Sequence, residues 1–414
     1  MQRKLALLWL GVLVGGCQTA PRRDAPPEMI GHAAPVGFPA NIRLVTTDLG
    51  KFTELAPTFF RGISAAATDG SVDILALSGG GSGGAYGAGV LAGLSRARTR
   101  PQFEMVTGVS AGALLTPFAL LGPDWDARMQ QAFTGQRSAK LLRSPMRTIL
   151  ARLLFPRSLP HRNPLFALVD HFVTPQMLAA VAGEAAKGRR LIVATTDLDK
   201  RETVLWNLGE IALRGGPSAR RLFRDVLVAS ASVPGVFPPV LIRVSDGHHD
   251  YDEMHVDGGV TTSVLTLPLI AGIQSYELPQ LRGAHLYVIV NGQLARTPQT
   301  TPFNTVDILS NSFAAEMTYK TRGAIVENIA AAKRLGMSFR MTEIPADYLQ
   351  ESFIDFDQRH MQALFDYAFD CASRGLVWLT PEQSIKRNMS PRRAAASTMA
   401  TIDACPVQAA TGAH

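Results

Sequence analysis

The sequence has little charge, few aromatic residues and few cysteines for its length. Of its 414 residues, 18% are charged, 7% are aromatic and 3 are cysteine, whereas 46% are hydrophobic. The 36 glycines and 26 prolines follow no repeat period, which excludes collagen, a coiled coil and disorder throughout. Three cysteines without a CxxC pair provide neither a disulfide framework nor a typical zinc site. The composition favours a globular protein with a sizeable core.

The chain carries a formal net charge of +7. Its arginines are scattered and form no base-reading module, so we expect no nucleic-acid partner. A basic surface also suits anionic lipid.

The first residues resemble the signal of a bacterial lipoprotein. Two cations, Arg3 and Lys4, precede an apolar run over residues 5–14 that is too short for the ~20 apolar residues of a spanning helix. Val-Gly-Gly-Cys then ends at Cys17 and resembles a lipobox. The resemblance implies a signal peptide over residues 1–16, cleavage before Cys17 and acylation of that cysteine. An ordinary secretory signal with an incidental cysteine is the alternative.

A lipid anchor would place the protein in the bacterial cell envelope. Gln18 after the cysteine favours, within the lipoprotein family, the outer membrane facing the periplasm. Residues 17–40 are rich in Pro, Ala and Arg and are predicted to be a tether. Residues 41–380 show no internal boundary and are predicted to form one domain, and residues 381–414 a flexible tail.

Apolar runs in the body alternate with helical patterns. Residues 72–77, 103–107, 191–196 and 285–290 are predicted strands, and helical segments separate most of them. This alternation predicts an α/β fold with a largely parallel sheet.

A possible nucleophile lies between the second predicted strand and a helix. Gly108-Val109-Ser110-Ala111-Gly112 matches G-x-S-x-G, in which small residues on both sides allow a sharp strand-to-helix turn. Ser110 would then stand exposed at a helix N-terminus. A plain N-cap serine is the alternative.

A glycine cluster follows the first strand directly. Gly79, Gly80, Gly81 and Gly84 would let backbone amides converge on one anion. The cluster also matches the dinucleotide pattern G-x-G-x-x-G, but the acid expected after the next strand is missing. An oxyanion hole made by Gly79, Gly80 and Gly81 and facing Ser110 is therefore the preferred interpretation.

A carboxylate with two glycines ends a later strand. Asp257-Gly258-Gly259 is sterically free to approach another loop, and an ordinary Asp-Gly turn is the alternative.

The ordered motifs SGGGxxG, GxSxG and DGG resemble those of the patatin-like phospholipase family. The segment Ala-Ser-Ala-Ser-Val-Pro-Gly-Val-Phe-Pro-Pro over residues 229–239 also resembles the family, and the likeness covers roughly residues 72–290. The resemblance implies a three-layer α/β/α patatin-like fold with a mainly parallel central sheet. It also implies that Ser110 is the nucleophile and Asp257 its base, and that the enzyme hydrolyses lipid acyl esters, as a phospholipase A or lysophospholipase, without a cofactor.

Two departures from the family pattern affect this prediction. Gly83 stands where the family usually has Arg or Lys, and Val260 follows DGG where Asn is common. Gly83 keeps open a second hypothesis, a noncatalytic lipid-binding envelope protein that retains the fold. A dinucleotide-binding protein is the third.

Several histidines and cysteines offer other chemistry. His285 could complete a Ser-acid-His triad, but a strand-start residue is expected, and His255 is expected to be a packed histidine near Asp257. The polar stretch from His248 to Asp252 is interpreted as a solvated turn, so no metal is predicted. Cys371 and Cys405 would pair in an oxidising compartment, although Cys371 also suits a buried apolar position.

Overall fold

A ten-stranded sheet organises the computed structural model. The structure describes residues 22–30, 33–46, 48–142, 163–265, 278–295, 300–350, 352–389 and Cys405. Its strands are β1 (Ala34–Pro35), β2 (Arg43–Val45), β3 (Asp73–Leu77), β4 (Met105–Val109), β5 (Arg190–Asp197), β6 (Glu202–Asn207), β7 (Val240–Ser245), β8 (Asp250–Asp257), β9 (His285–Val290) and β10 (Ser338–Glu343).

Helices separate many of these strands. The helices are α1 (Leu49–Ala66), α2 (Gly84–Ala97), α3 (Ala111–Leu121), α4 (Asp126–Thr134), α5 (Gln136–Leu142), α6 (Pro164–Phe172), α7 (Pro175–Ala186), α8 (Leu208–Arg214), α9 (Gly216–Ser230), α10 (Thr305–Leu335), α11 (Gln358–Ser373) and α12 (Pro381–Met389).

The centre of the sheet is parallel and its remaining strands are antiparallel. The strand order is β1-β7-β8-β5-β4-β3-β9-β10, and β6 pairs with β5 and with β2 outside this path. Pairs among β10, β9, β3, β4 and β5 are parallel. Antiparallel pairs join the other five strands, β8, β7, β1, β6 and β2, to the sheet. The sequence predicted a mainly parallel sheet and did not predict these antiparallel strands.

Both faces of the central strands are buried, which gives the fold its three layers. Along β3, Leu75 and Leu77 belong to the hydrophobic core shared with α2, α3, α9 and α11. Ile74 and Ala76 belong to a second core shared with α1 and α10. Successive strand side chains point to opposite faces, so a continuous apolar run is what a sheet covered on both sides requires. The chain therefore has the three α/β/α layers that the resemblance implied.

Strand β5 brings the ends of two distant strands together. Strand β6 pairs with residues 192–197 of β5 and occupies one edge of it. Strands β4 and β8 share the other edge end to end: Val109 lies opposite Ala194, and Asp257 lies opposite Thr195. Because these partners are consecutive in β5, the residue after Val109 must lie beside Asp257.

The predicted central elements lie close to the observed ones, but two regions contain more structure than expected. Helix α1 and strand β2 lie within residues 41–71, for which the sequence pattern predicts no regular element. Strand β7 follows a proline-rich loop over residues 233–239. Helix α1 carries Pro57 internally, which weakens a helical signal.

The prediction of a flexible tail from residue 381 is wrong for residues 381–389. Helix α12 covers the end of β10, where the buried carboxylate of Glu343 needs partners, and Ser384 and Asn388 both donate to it. Cys405 forms a disulfide with Cys371 of α11. The remaining residues of the predicted tail lie outside the described ones.

The predicted tether also contains ordered contacts. Arg22 donates to the carbonyl of Asp252 over 3.0 Å, and the Arg23 amide donates to the Asp252 carboxylate over 3.0 Å. Strand β1 pairs with β7. The signal peptide and Cys17 lie outside the described residues.

No single helix in the described part of the chain is both long and apolar enough to cross a membrane, although the bent pair α6 and α7 meets the length and composition criteria together.

Candidate active site

The turn at Ser110 holds a strained conformation. Ser110 joins β4 to α3 with φ +55° and ψ −124°, a region that residues with a side chain rarely adopt. A Cβ on Gly108 would lie 2.6 Å from the Gly112 carbonyl oxygen, and one on Gly112 would lie 2.5 Å from that of Leu77. The two glycines of the motif therefore permit a turn too tight for larger residues, which is the geometry expected of a nucleophile elbow.

The carboxylate of Asp257 faces the hydroxyl of Ser110. Ser110 Oγ donates to Asp257 Oδ2 over 2.6 Å, and both residues are buried. The Gly259 amide donates to the other carboxylate oxygen, Oδ1, over 2.7 Å. A Cβ on Gly258 would lie 2.5 Å from the Ala194 carbonyl oxygen, so the DGG glycines allow this strand end to approach β5 closely.

The environment of Asp257 makes it a stronger base than an ordinary aspartate. Burial raises the pKa of Asp257 to about 7, although the hydrogen bonds from Ser110 and from the Gly259 amide lower it. A general base works best when its pKa lies near the working pH. Asp257 can therefore accept a proton from Ser110 and release it again near neutrality.

Of the three glycines predicted as an oxyanion hole, two keep their amides available. The Gly79 amide donates to the Ser263 carbonyl over 2.9 Å, so it is already committed. The amides of Gly80 and Gly81 have no acceptor among the described residues, and both glycines line an opening together with Ser110. Gly84 begins α2 and packs instead against the ring of Phe133.

Asn291, for which the sequence predicted no role, holds the glycine loop (residues 78–84) in place. Its side-chain Nδ2 donates to the Ser78 carbonyl over 2.7 Å, and its backbone amide donates to Ser78 Oγ over 2.8 Å. Its Oδ1 accepts the Gly87 amide over 3.2 Å. A Cβ on Gly80 would lie 1.8 Å from the Asn291 carbonyl oxygen. Only its position directly after β9 hinted at this role.

A serine pair before the proline-rich loop connects the two catalytic candidates. Ser230 Oγ accepts the Ser110 amide over 3.0 Å and donates to the Ala194 carbonyl over 2.6 Å. The carbonyl of Ser232 accepts the Asp257 amide over 3.0 Å. In the sequence, residues 229–239 showed only a likeness to the family, whereas the contacts of Ser230 and Ser232 give these two serines a positioning role.

His255 and His285 do not contact the Ser110–Asp257 pair among the described residues. His285 begins β9, at the opposite end of the parallel strands from Ser110, and lies 3.5 Å from Asp73. His255 is fully buried, where its ring contacts Thr195 Oγ1 over 3.0 Å and Glu253 over 3.3 Å. Neither completes a triad, and His255 is the packed histidine that the sequence predicted.

A buried polar cluster contains three potential metal ligands, Asp197, Glu253 and His255. Arg43 pairs with Glu253, and Lys200 Nζ lies 3.4 Å from both carboxylates. Two cations therefore already balance the two acids, and we assign the cluster to the packing of β5 and β8. The exposed turn before β8 is a separate feature, in which Asp246 accepts the amides of His248 and His249.

Two openings meet at Ser110, each with roughly 630 Å³ of empty space including its mouth. The first, the apolar opening, is lined mainly by hydrophobic side chains, among them Leu114, Phe133, Leu165, Leu168, Phe172 and Met361. The second is named the polar opening because it is the more polar of the two. Its lining includes apolar side chains such as Leu294, Phe313 and Met317, and it also contains Gly80, Gly81, Asp257, Gln293, Thr318, Thr321 and Gln350. Phe353 lines both.

Comparisons with known proteins found one family model and distantly similar solved structures. Residues 75–270 match the family model described as Patatin-like phospholipase. The solved structure of VipD from Legionella pneumophila is 14% identical with a TM-score of 0.36, over 77% of this chain and 70% of that one. Human GIVD cytosolic phospholipase A2 is 12% identical with a TM-score of 0.29, over 66% of this chain and 51% of that one. A search of the curated proteins found no match.

Proposed function

Residues 75–270 match the model of the patatin-like phospholipase family, and from this premise we propose that the protein is a serine hydrolase of lipid acyl esters. The observation that carries the proposal is the 2.6 Å hydrogen bond from Ser110 Oγ to Asp257 Oδ2. An apolar opening that begins at the same hydroxyl supports a fatty-acyl substrate. Phospholipase A and lysophospholipase activities both fit this chemistry.

Acylation begins with attack by Ser110 Oγ on the ester carbonyl carbon. The hydroxyl proton moves to Asp257, and the electron pair of the carbonyl moves to its oxygen. The amides of Gly80 and Gly81 stabilise this oxyanion, and losing one such donor typically costs roughly 2.7–4 kcal/mol of barrier. Collapse of the intermediate breaks the bond to the alcohol, which leaves with the proton held by Asp257.

Deacylation repeats these steps with water. Asp257, ionised again, accepts a proton from a water molecule that attacks the acyl-serine. The second intermediate collapses with return of that proton to Ser110 Oγ, and the fatty acid leaves. The only titrating group that this cycle needs is Asp257, whose pKa of about 7 suits it to both proton acceptance and proton return.

We also propose that the protein is anchored in the cell envelope through Cys17. The lipobox-like sequence before Cys17 and the net charge of +7 support membrane attachment. The disulfide between Cys371 and Cys405 supports an oxidising compartment such as the periplasm. Radiolabelled fatty acid should enter the wild-type protein in cells, and Cys17→Ser should abolish labelling. Equal labelling of the two proteins would refute the anchor.

Ester hydrolysis separates the enzyme from the noncatalytic alternative. Purified wild-type protein should hydrolyse p-nitrophenyl butyrate, and Ser110→Ala and Asp257→Asn should each lower kcat/KM by roughly a thousandfold or more. Both variants should keep the wild-type circular dichroism spectrum. Residual activity of Ser110→Ala near the wild-type value would contradict the proposal.

A further inference from the structure

Apart from the Gly80 and Gly81 amides and the Ser110 hydroxyl, the polar opening offers a ligand mainly hydrogen-bond acceptors. Besides Ser110, its uncharged polar side chains are Gln293, Thr318, Thr321 and Gln350. Because the apolar opening suits the acyl chain, the polar opening is where the alcohol half of an ester would lie. The alcohol that fits is therefore determined by the polar atoms of these four residues that remain available for hydrogen bonds.

Gln293 has already used its donors. Its Nε2 donates to the Pro345 carbonyl over 2.7 Å and to the Tyr348 carbonyl over 2.8 Å, which commits both amide hydrogens. Its Oε1 accepts no hydrogen bond from any described residue. The atom that Gln293 presents to a ligand is therefore an acceptor.

The two threonines of α10 are committed in the same way. Thr318 Oγ1 donates to the Ala314 carbonyl over 2.9 Å, and Thr321 Oγ1 donates to the Met317 carbonyl over 2.7 Å. Their oxygen lone pairs remain. In addition, Gln350 Oε1 is buried without a hydrogen-bond partner in the described part of the chain. An acceptor that stays unpaired in a buried place is costly, so a donor from the ligand stabilises the complex.

From this pattern, and resting on the proposed function, we propose that the preferred substrate keeps a free hydroxyl beside the scissile ester. Glycerol hydroxyls donate hydrogen bonds to such acceptors, whereas phosphodiester and second-ester oxygens only accept them. Monoacylglycerols and lysophospholipids share this hydroxyl, and diacyl phospholipids lack it. The polar opening therefore selects lyso-type substrates over diacyl ones.

Matched pairs of substrates test the hydroxyl directly. We would measure kcat/KM for 1-acylglycerol against its 2-O-methyl ether, and for 1-acyl-lysophosphatidylglycerol against its 2-O-methyl ether, with one acyl chain throughout. We expect the ether to react roughly tenfold or more slowly in the preferred pair, because it leaves an acceptor unpaired. The pair with the larger kcat/KM then identifies the head group.

Variants show whether the polar opening causes the preference. Thr318→Val combined with Thr321→Val should bring the hydroxyl-to-ether ratio towards one. Thr134→Val is the matched control, since Thr134 of α4 makes the same bond to the carbonyl four residues earlier and does not line the opening. A purely structural defect would lower both members of a pair equally and leave the ratio unchanged.

The outcomes distinguish this inference from the proposed function. Equal rates within both pairs, or a ratio that survives the double threonine variant, would overturn the hydroxyl proposal. If p-nitrophenyl butyrate is hydrolysed in a Ser110-dependent manner at the same time, the proposed function stands. If no ester is hydrolysed at all, both fail.

Discussion

At the scale of single residues, the proposed chemistry depends on how Ser110 and Asp257 are held. The Ser110 amide is bound by Ser230, and one oxygen of Asp257 is bound by the Gly259 amide. The hydroxyl and the second carboxylate oxygen are left to face each other. This arrangement leaves one proton route between them.

The pH dependence of the reaction should report the ionisation of Asp257. The base must be charged, and its pKa is raised to about 7, so activity should be lost as the pH falls through 7. We expect kcat/KM for a soluble ester to rise tenfold per pH unit below that value and to level off above it. Rates measured between pH 5 and 9 check this.

Glu104 provides a control for the pH profile. Burial raises its pKa to about 7 as well, but it lies before β4, at the other end of that strand from Ser110. Glu104→Gln should keep the midpoint of the wild-type profile. A profile that is flat between pH 5 and 9 in the wild type, or that shifts with Glu104→Gln, would be inconsistent with Asp257 as the base.

At the scale of elements, the glycine loop and strand β9 act as a unit. Gly80 approaches the Asn291 carbonyl so closely that no side chain fits between them. Gly80→Ala must therefore displace the loop, and the amide of residue 80 would leave the proposed oxyanion position. We expect a loss of kcat of roughly a hundredfold or more, with a smaller change in KM, in steady-state kinetics.

Gly183 of α7 supplies the comparison for this prediction. It is exposed, and a Cβ there would meet no atom within 4 Å. Gly183→Ala should leave kcat unchanged and raise the free energy of unfolding by about 0.5–1 kcal/mol, as expected in a helix interior. Wild-type kcat in Gly80→Ala would show that the loop does not contribute to the barrier.

Local sequence patterns predicted the elements and motifs, but they did not predict which of them lie next to each other in the fold. The apolar runs of β3 and β9 and the glycines beside Ser110 are properties of neighbouring residues, so the sequence reveals them. The shared edge of β5, where β4 and β8 meet, is a long-range pairing without a local signal. The contacts of Asn291 with the glycine loop could not be predicted for the same reason, because a single asparagine after a strand can have many roles.

At the scale of the whole molecule, helix α12 and Cys405 pack against the rest of the fold. Cys371 and Cys405 are both buried, and their disulfide spans 34 positions. The polar and basic composition after residue 381 predicted a loose tail because packing against Glu343 cannot be read from composition. Closing such a loop stabilises a fold by limiting the freedom of the unfolded chain.

Removal of this disulfide should lower the stability of the protein. We expect Cys405→Ser to reduce the free energy of unfolding by about 2 kcal/mol in non-reducing denaturation, and reduced wild-type protein to behave alike. Cys17→Ser should keep the wild-type stability. Thiol titration of the unfolded, unreduced chain that finds Cys371 and Cys405 both free would contradict the pairing.

Active-site labelling with a fluorophosphonate tests the central claim, that Ser110 is activated by Asp257. One label per wild-type molecule should form, and mass spectrometry of the digested protein should locate it on Ser110. Ser110→Ala should take up none, and Asp257→Asn should react at least a hundredfold more slowly. Undiminished labelling of Ser110→Ala, or a label on another serine, would contradict the account.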